Sequence, residues 1–129
     1  MSREKLSSSR APAAVGPYSS AVRAGDFIFV SGMGPIEPEG GEVVRDDFQG
    51  AVRRTLDNLR AILEDNGSSM NDVVKTTVYL SDMQRFAEMN EIYATYFGDQ
   101  PPARTTIEAA RLPLDIAIEI DAIAYAPEG

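Results

Sequence analysis

The stretch DIAIEIDAIAY, residues 115–125, decides the fold, because it predicts a long strand whose two faces differ in composition. One face is apolar and consists of Ile116, Ile118, Ile120, Ala122 and Ala124. The other face is mixed and consists of Ala117, Glu119, Asp121, Ile123 and Tyr125. We expect the apolar face to pack on helices. The mixed face fits either solvent or burial against other copies of the chain with a few placed polar groups.

Four more strands are predicted upstream, at residues 18–23, 27–32, 72–80 and 103–110. A helix is predicted from a cap at Asp46 or Asp47 to Gly67, with apolar residues at helical spacing. A second helix runs from a cap at Ser81 or Asp82 to Gly98. The order ββαβαββ predicts an α+β, two-layer domain with a mixed sheet and two helices on one face.

The length of 129 residues predicts one domain. Residues 1–10 are polar and Ser-rich, so we expect a flexible N-terminal segment before a single domain at 11–129. The segment lacks the apolar stretch of a secretion signal, and no apolar run approaches membrane-spanning length, which favours a cytoplasmic protein without a membrane partner. The net charge of −8 and the scattered basic residues argue against a nucleic-acid surface.

Histidine and cysteine are absent from the sequence, which removes whole classes of mechanism. A Ser-His-Asp triad, an imidazole base, a thiolate nucleophile and the common zinc sites are all excluded. The acidic residues show no metal-loop spacing, so no metal site is expected. General acid or base work would fall to Asp, Glu, Tyr, Lys, backbone groups or water.

Arg104 and Glu119 are the main candidates for chemistry. Arg104 follows two prolines at the start of a predicted strand, where its guanidinium would be held ready to bind a carboxylate through two parallel hydrogen bonds. The alternative is a surface arginine paired with one of the 20 acidic residues. Glu119 is either a partly buried carboxylate that holds a water or passes a proton, or a solvent-facing group.

Weaker candidates accompany them. Tyr18 offers a phenol from a GPY turn or is a packed aromatic, and Asn90 is either a ligand contact or a helix-surface amide. Ser31, which precedes Gly32 at a strand end, has no base to activate it and would serve only as a hydrogen-bonding group. Arg111 is interpreted as structural. These residues predict an anionic-ligand site in an oligomer and leave catalysis and binding both open.

Seven stretches, in order from about Ala11 to Ala124, resemble the RidA/YjgF family of reactive-intermediate deaminases, formerly described as endoribonuclease L-PSP. They are APAAVGPYSSAV (11–22), FIFVSG (27–32), TLDNLRAILEDNG (55–67), DVVKTTVYLSDM (72–83), FAEMNEIYATYF (86–97), PPARTTIEAARLP (101–113) and IEIDAIA (118–124). The resemblance implies a chorismate-mutase-like fold and a homotrimer with active sites between subunits. It also implies hydrolysis of enamines and imines, such as 2-aminoacrylate, to 2-keto acids and ammonia, with no cofactor or metal.

The resemblance further assigns roles to individual residues. Arg104 would grip the substrate carboxylate and Glu119 would position the attacking water. The cleft would be lined by Tyr18, Ser31 and Gly32, with Asn90 as a substrate-binding residue and Thr106 providing backbone contacts. Two positions depart from the family pattern: Met33 stands where Gln is frequent, and Thr106 where Cys is common, so substrate preference is open.

Other readings stay open beside a general imine deaminase. One is a deaminase devoted to a single intermediate of the 2-aminomuconate type. Another is a non-enzymatic trimer that binds keto or amino acids. An RNA-cleaving or translation-inhibiting protein is a further possibility, against which the net charge of −8 and the absence of histidine weigh.

Overall fold

The computed structural model describes residues 2–127 as one six-stranded sheet with two helices on one face. The strands are β1 (Arg3–Leu6), β2 (Ala21–Ala24), β3 (Phe27–Met33), β4 (Val73–Leu80), β5 (Ala103–Glu108) and β6 (Ile118–Tyr125). The helices are α1 (Phe48–Glu64) and α2 (Phe86–Phe97). The strand order is β1-β2-β3-β6-β4-β5, with β4 and β5 parallel and all other neighbours antiparallel. The predicted α+β architecture with a mixed sheet is confirmed.

Strand β1 lies where the sequence predicted a flexible segment over residues 1–10, and the element order is therefore βββαβαββ. It pairs antiparallel with β2, from Arg3 opposite Ala24 to Leu6 opposite Ala21. Only Leu6 is buried, because an edge strand is held largely by backbone hydrogen bonds and leaves little pattern in its side chains. Met1 of the predicted segment, and residues 128–129 of the predicted 11–129 domain, lie outside the described residues.

The core forms where β6 packs on α1. The apolar face of β6 is buried, as predicted, by Ile118, Ile120, Ala122 and Ala124. The facing stripe of α1 is also buried and comprises Val52, Leu56, Leu59, Ile62 and Leu63. Each fully buried Leu or Ile contributes about 1.5–3 kcal/mol, so this contact fixes the position of β6 and of the residues on its other face.

Two of the four predicted helix ends agree with the structure, those at Asp47 and Gly98. Helix α1 ends at Glu64, three residues before the predicted Gly67, and α2 begins at Phe86, after the predicted cap at Ser81 or Asp82. The Asp47 carboxylate accepts a hydrogen bond from the Gly50 backbone N–H at 2.9 Å, which caps α1. Asp82 caps a short 3₁₀ turn (Met83–Arg85) that leads into α2, and Gly98 follows the helix with φ of +63°. Because parallel strands need a crossover, α2 joins β4 to β5 and packs beside the start of β5.

The last strand begins later than predicted, at Ile118 rather than residue 115. Leu114 and Asp115 have φ values of +59° and +53°, which no strand can accommodate. None of the helices in residues 2–127 is long and apolar enough to cross a membrane.

The sheet face opposite the helices is mixed, as the sequence predicted. Phe29 and Tyr125 are exposed on it, and Ile123 is partly exposed. Glu119 and Asp121 lie on the same face, each half-buried. Register adds Lys75, Thr77 and Thr105 to this face, so large apolar and polar side chains alternate across it and it is neither a plain core nor a plain polar surface.

Candidate active site

Arg104 lies on the helix side of the sheet, above two aromatic rings of α2. Its carbon Cζ is 4.8 Å from the centre of the Tyr93 ring and 5.5 Å from that of Phe86. Register places it beside buried Thr76 on β4. Within residues 2–127 its guanidinium makes no hydrogen bond or ion pair, although the chain has 20 acidic residues. The aromatic faces attract the cation without using its N–H groups, which stay available to a carboxylate.

Tyr93 is itself fixed. Its hydroxyl lies 2.7 Å from the hydroxyl of Thr76, and the ring is almost fully buried. Burial raises the pKa of the Tyr93 phenol, so it stays neutral at physiological pH. The ring under Arg104 is therefore held by both α2 and β4.

Asn90 and Thr106 belong to the same side. Asn90 is on α2 between the turns that carry Phe86 and Tyr93, and Thr106 is two residues beyond Arg104 on β5. The Asn90 Oδ1 and Thr106 Oγ1 atoms are buried and have no hydrogen-bond partner among the described residues. Buried polar atoms without partners are uncommon and costly, which marks them as groups that a ligand or water would satisfy. We call Arg104, Asn90 and Thr106 the arginine side.

Tyr18, Ser31, Gly32 and Glu119 line a cavity of about 870 Å³, here called the carboxylate cavity. The Ser31 hydroxyl donates to the Ser19 carbonyl at 2.6 Å, which fixes the end of β3. The Tyr18 hydroxyl accepts a hydrogen bond from the Val15 backbone N–H at 3.4 Å. These contacts hold the polar groups in place without activating Ser31 as a nucleophile.

Glu119 is half-buried in the carboxylate cavity and stands against Gly32. Burial, and secondly the charge of Asp121, raise the pKa of its carboxyl group. A Cβ atom on Gly32 would lie 2.6 Å from the carboxyl carbon of Glu119, so glycine is needed here to leave room for the acid. Within the described residues, the acidic side chains form no group of three or more that could hold a metal ion.

Asp121 is a site neighbour that sequence reasoning did not single out. The Tyr79 hydroxyl donates to its Oδ2 atom at 3.2 Å, and the Thr77 N–H donates to its Oδ1 atom at 3.2 Å. Asp121 is thereby fixed in position on the same face of β6 as Glu119. The period-two alternation of the strand was the signal that could have found it.

Asn58 was also missed, although it shapes the cavity wall. It is fully buried in α1, and its Nδ2 donates to the carbonyls of Gly34 at 3.1 Å and Ile36 at 2.8 Å. Both acceptors lie in the loop that lines the carboxylate cavity. Its helical spacing from Thr55 and Ile62 on the core face was the available signal.

The arginine side and the carboxylate cavity are not brought together within one chain. Arg104 is in register with Thr76, whose side chain faces α2, whereas Glu119 is in register with Tyr79 on the opposite face. Residues three apart on one strand point to opposite faces of a sheet. A site that uses both Arg104 and Glu119 therefore needs two copies of the chain.

The chain is similar to known proteins along nearly its whole length. The family model described as Endoribonuclease L-PSP matches residues 8–126. The chain is 51% identical over 125 residues to a RutC family protein of Pyrococcus abyssi, covering 97% of this chain and 98% of that protein. It is 43% identical over 122 residues to the 2-iminobutanoate/2-iminopropanoate deaminase of Escherichia coli K12, covering 92% and 94% of the two chains.

Solved structures show the same fold. The Escherichia coli TdcF structure with bound serine superposes with a TM-score of 0.90 at 38% identity, covering 95% of this chain and 98% of that one. A Rid family protein of unknown function from Yersinia pestis gives a TM-score of 0.94 at 35% identity, covering 97% and 100%.

Proposed function

Since the chain belongs to the RidA/YjgF family, we propose that it is a hydrolytic deaminase of 2-aminoacrylate-type enamines and imines, giving a 2-keto acid and ammonia. The observation that carries this proposal is Arg104, which is held over Phe86 and Tyr93 with no carboxylate partner in residues 2–127. The related Escherichia coli protein named as an iminobutanoate and iminopropanoate deaminase supports it.

Arg104 binds the substrate carboxylate. Its planar guanidinium makes two parallel hydrogen bonds to a carboxylate, a geometry that lysine does not reproduce. Because the rings beneath it restrict its motion, the carboxylate is held at one place and the adjacent C=N carbon is presented in one orientation.

Glu119 positions the water. Protonation at the enamine carbon gives an iminium ion, which needs no strong nucleophile. Glu119 takes one proton from a water as the water oxygen adds to the C=N carbon of the iminium ion. It then gives that proton to the amino nitrogen of the carbinolamine, and ammonia leaves as the C=O bond forms and the hydroxyl proton returns to Glu119. The raised pKa of Glu119 brings it closer to neutral pH, where a carboxyl group exchanges protons more readily.

We further propose a homotrimer with its sites between subunits. The separation of Arg104 from Glu119 in one chain supports this, because a partner can supply the missing group. The mixed sheet face with exposed Phe29 and Tyr125 is a suitable surface for the contact. The cytoplasmic location expected from the sequence stays a prediction.

Small-molecule binding without turnover is the second candidate. The serine-bound TdcF structure favours it, since it shows a related protein holding an amino acid. Arg104 would serve this function equally well, so only turnover separates the two.

The test is the lifetime of 2-aminoacrylate released in situ by a dehydratase. We expect the protein to shorten it, Arg104→Ala to lose at least about 100-fold in kcat/KM, and Arg104→Lys to recover little of this loss. Arg60→Ala, which removes an exposed arginine paired with Asp57, serves as the matched control. Binding of serine or a keto acid without any acceleration would replace the deaminase by the binding protein.

A further inference from the structure

Three large side chains stand exposed around the carboxylate cavity. Val15 is 84% exposed, Leu114 62% and Tyr18 51%, and all three line the cavity. Met33 and Ile116 extend the apolar wall inward, each almost fully buried. The cavity thus has a polar end at Glu119 and an apolar rim.

Leu114 is held in a conformation that its side chain disfavours. Its φ and ψ are +59° and +14°, in the left-handed region where a bulky non-glycine residue is an outlier. Asp115 follows with φ of +53°. Backbone outliers of this kind persist only where the surroundings impose them, and they cluster at functional sites.

Two arginines hydrogen-bond to the strained segment from outside the cavity. Arg45 donates to the Leu114 carbonyl at 2.8 Å and to the Asp115 carbonyl at 3.4 Å. Arg111 donates to the Asp115 carboxylate at 2.9 Å. Leu114 thus lines the cavity rim from a left-handed backbone position whose carbonyl is bound by Arg45.

The charges of the cavity restrict what the rim contacts. The only charged residues that line it within the described residues are Glu37 and Glu119, both acidic. A second carboxylate on a substrate would be repelled by Glu119 and would meet no positively charged lining residue, since Arg54 behind Glu37 is already paired with that carboxylate at 3.7 Å. An uncharged hydrocarbon group meets no such penalty.

We propose that Leu114 is a specificity-determining residue, which contacts the hydrocarbon side chain of the imino acid and favours substrates with carbons beyond Cβ. The inference rests on the proposed deaminase function. The apolar rim and Glu119 belong to one cavity. A substrate whose C=N carbon lies at Glu119 therefore extends its side chain along the apolar wall. Substrates with a second carboxylate are disfavoured.

The test compares three imines that amino acid oxidases release in situ from leucine, alanine and glutamate. Semicarbazide traps the imine that has not been hydrolysed, so slower formation of the semicarbazone measures hydrolysis by the protein. In the wild-type protein we expect kcat/KM to be highest for the leucine-derived imine and lowest for the glutamate-derived one. In Leu114→Asn the leucine-to-alanine ratio should fall about tenfold, since one pocket contact changes discrimination by about 10- to 200-fold. Asparagine tolerates the left-handed region, so the variant should fold. Leu114→Met should retain the ratio.

An unchanged ratio in Leu114→Asn would overturn the inference while leaving the deaminase intact. A changed molecular mass in solution with an unchanged ratio would overturn it as well, and would assign Leu114 to a contact between copies. Acceleration of no imine by the wild-type protein would reject the proposed function and the inference with it.

Discussion

At the scale of single residues, the chemistry depends on groups that are kept free or are given room. Arg104 is attracted to aromatic faces and so keeps its N–H donors unused. Glu119 fits in its place because the neighbouring residue, Gly32, has no side chain. In both cases the feature belongs to the residues around the functional group, the aromatic rings for Arg104 and Gly32 for Glu119.

Gly32→Ala tests the room around Glu119. The new methyl group would overlap the carboxylate, and the flexible Glu119 side chain would move away. We expect kcat to fall about 10- to 100-fold, because displacements near 1 Å at a reacting group have effects of that size. Gly98→Ala is the control: its positive φ should lower Tm, but nothing lies within 4 Å of the new Cβ, so kcat/KM should hold. Equal losses of activity in both variants would contradict the interpretation.

Glu119→Gln tests the electrostatics through stability. Burial and Asp121 raise the pKa of Glu119 in the folded state, so folding favours its protonated form. That contribution is fully present below the unfolded-state pKa and is lost as pH rises through the folded-state value. Glutamine mimics the protonated form, so the variant should have a higher Tm than wild type at pH 7 and an equal one near pH 4. A lower Tm at pH 7 would show that the ionised acid is stabilised instead.

At the scale of elements, the β4–α2–β5 unit builds the arginine side. The parallel pairing sets Arg104 beside Thr76, and Tyr93 of α2 contacts both, through its hydroxyl to Thr76 and through its ring to Arg104. The position of Arg104 is therefore a property of the whole crossover unit, and the preceding prolines are only one part of it.

Substitutions at Tyr93 separate the ring from its hydroxyl. Tyr93→Phe keeps the surface beneath Arg104 but leaves the Thr76 hydroxyl buried without its partner, so we expect a loss of about 1–3 kcal/mol in the free energy of unfolding with KM nearly unchanged. Tyr93→Leu removes the aromatic face and should raise KM several-fold as well. Urea unfolding and steady-state kinetics measure the two effects. The same KM in both variants would exclude a role for the ring in holding Arg104.

The sequence predicted most elements, because their side chains carry the periodic signal. The alternation in β6 and the capping residues Asp47 and Gly98 led to the right layers. Strand β1 was not predicted, because an edge strand is held by backbone hydrogen bonds and its side chains carry little pattern. The left-handed conformation of Leu114 was not predicted, because leucine disfavours it and its carbonyl contact with Arg45 joins residues 69 apart in the chain.

The candidate site was less predictable than the fold. The alternation in β6 placed Glu119 on the face opposite the helices, but the face of Arg104 depends on strand register, which short sequence patterns do not fix for β5. Local patterns give the faces of Asp121, Asn58 and Tyr93, but the hydrogen bonds that define their roles join residues far apart in the chain.

At the scale of the whole molecule, one chain contains both parts of the proposed site but places them on opposite sides of its sheet. Helices cover one face, and the other carries exposed Phe29 and Tyr125 beside half-buried Glu119 and Asp121. In the proposed homotrimer, a closed ring of three chains would cover that face and bring the arginine side of one subunit to the carboxylate cavity of the next.

Mixing two inactive variants tests this arrangement most directly. Arg104→Ala and Glu119→Gln chains are unfolded together, refolded as mixed oligomers and assayed on 2-aminoacrylate against each variant refolded alone. If each site takes its arginine from one subunit and its acid from the next, an equal mixture should recover roughly a quarter of wild-type activity, because one site in four receives both intact groups. No recovery in mixed oligomers would contradict a site shared between subunits.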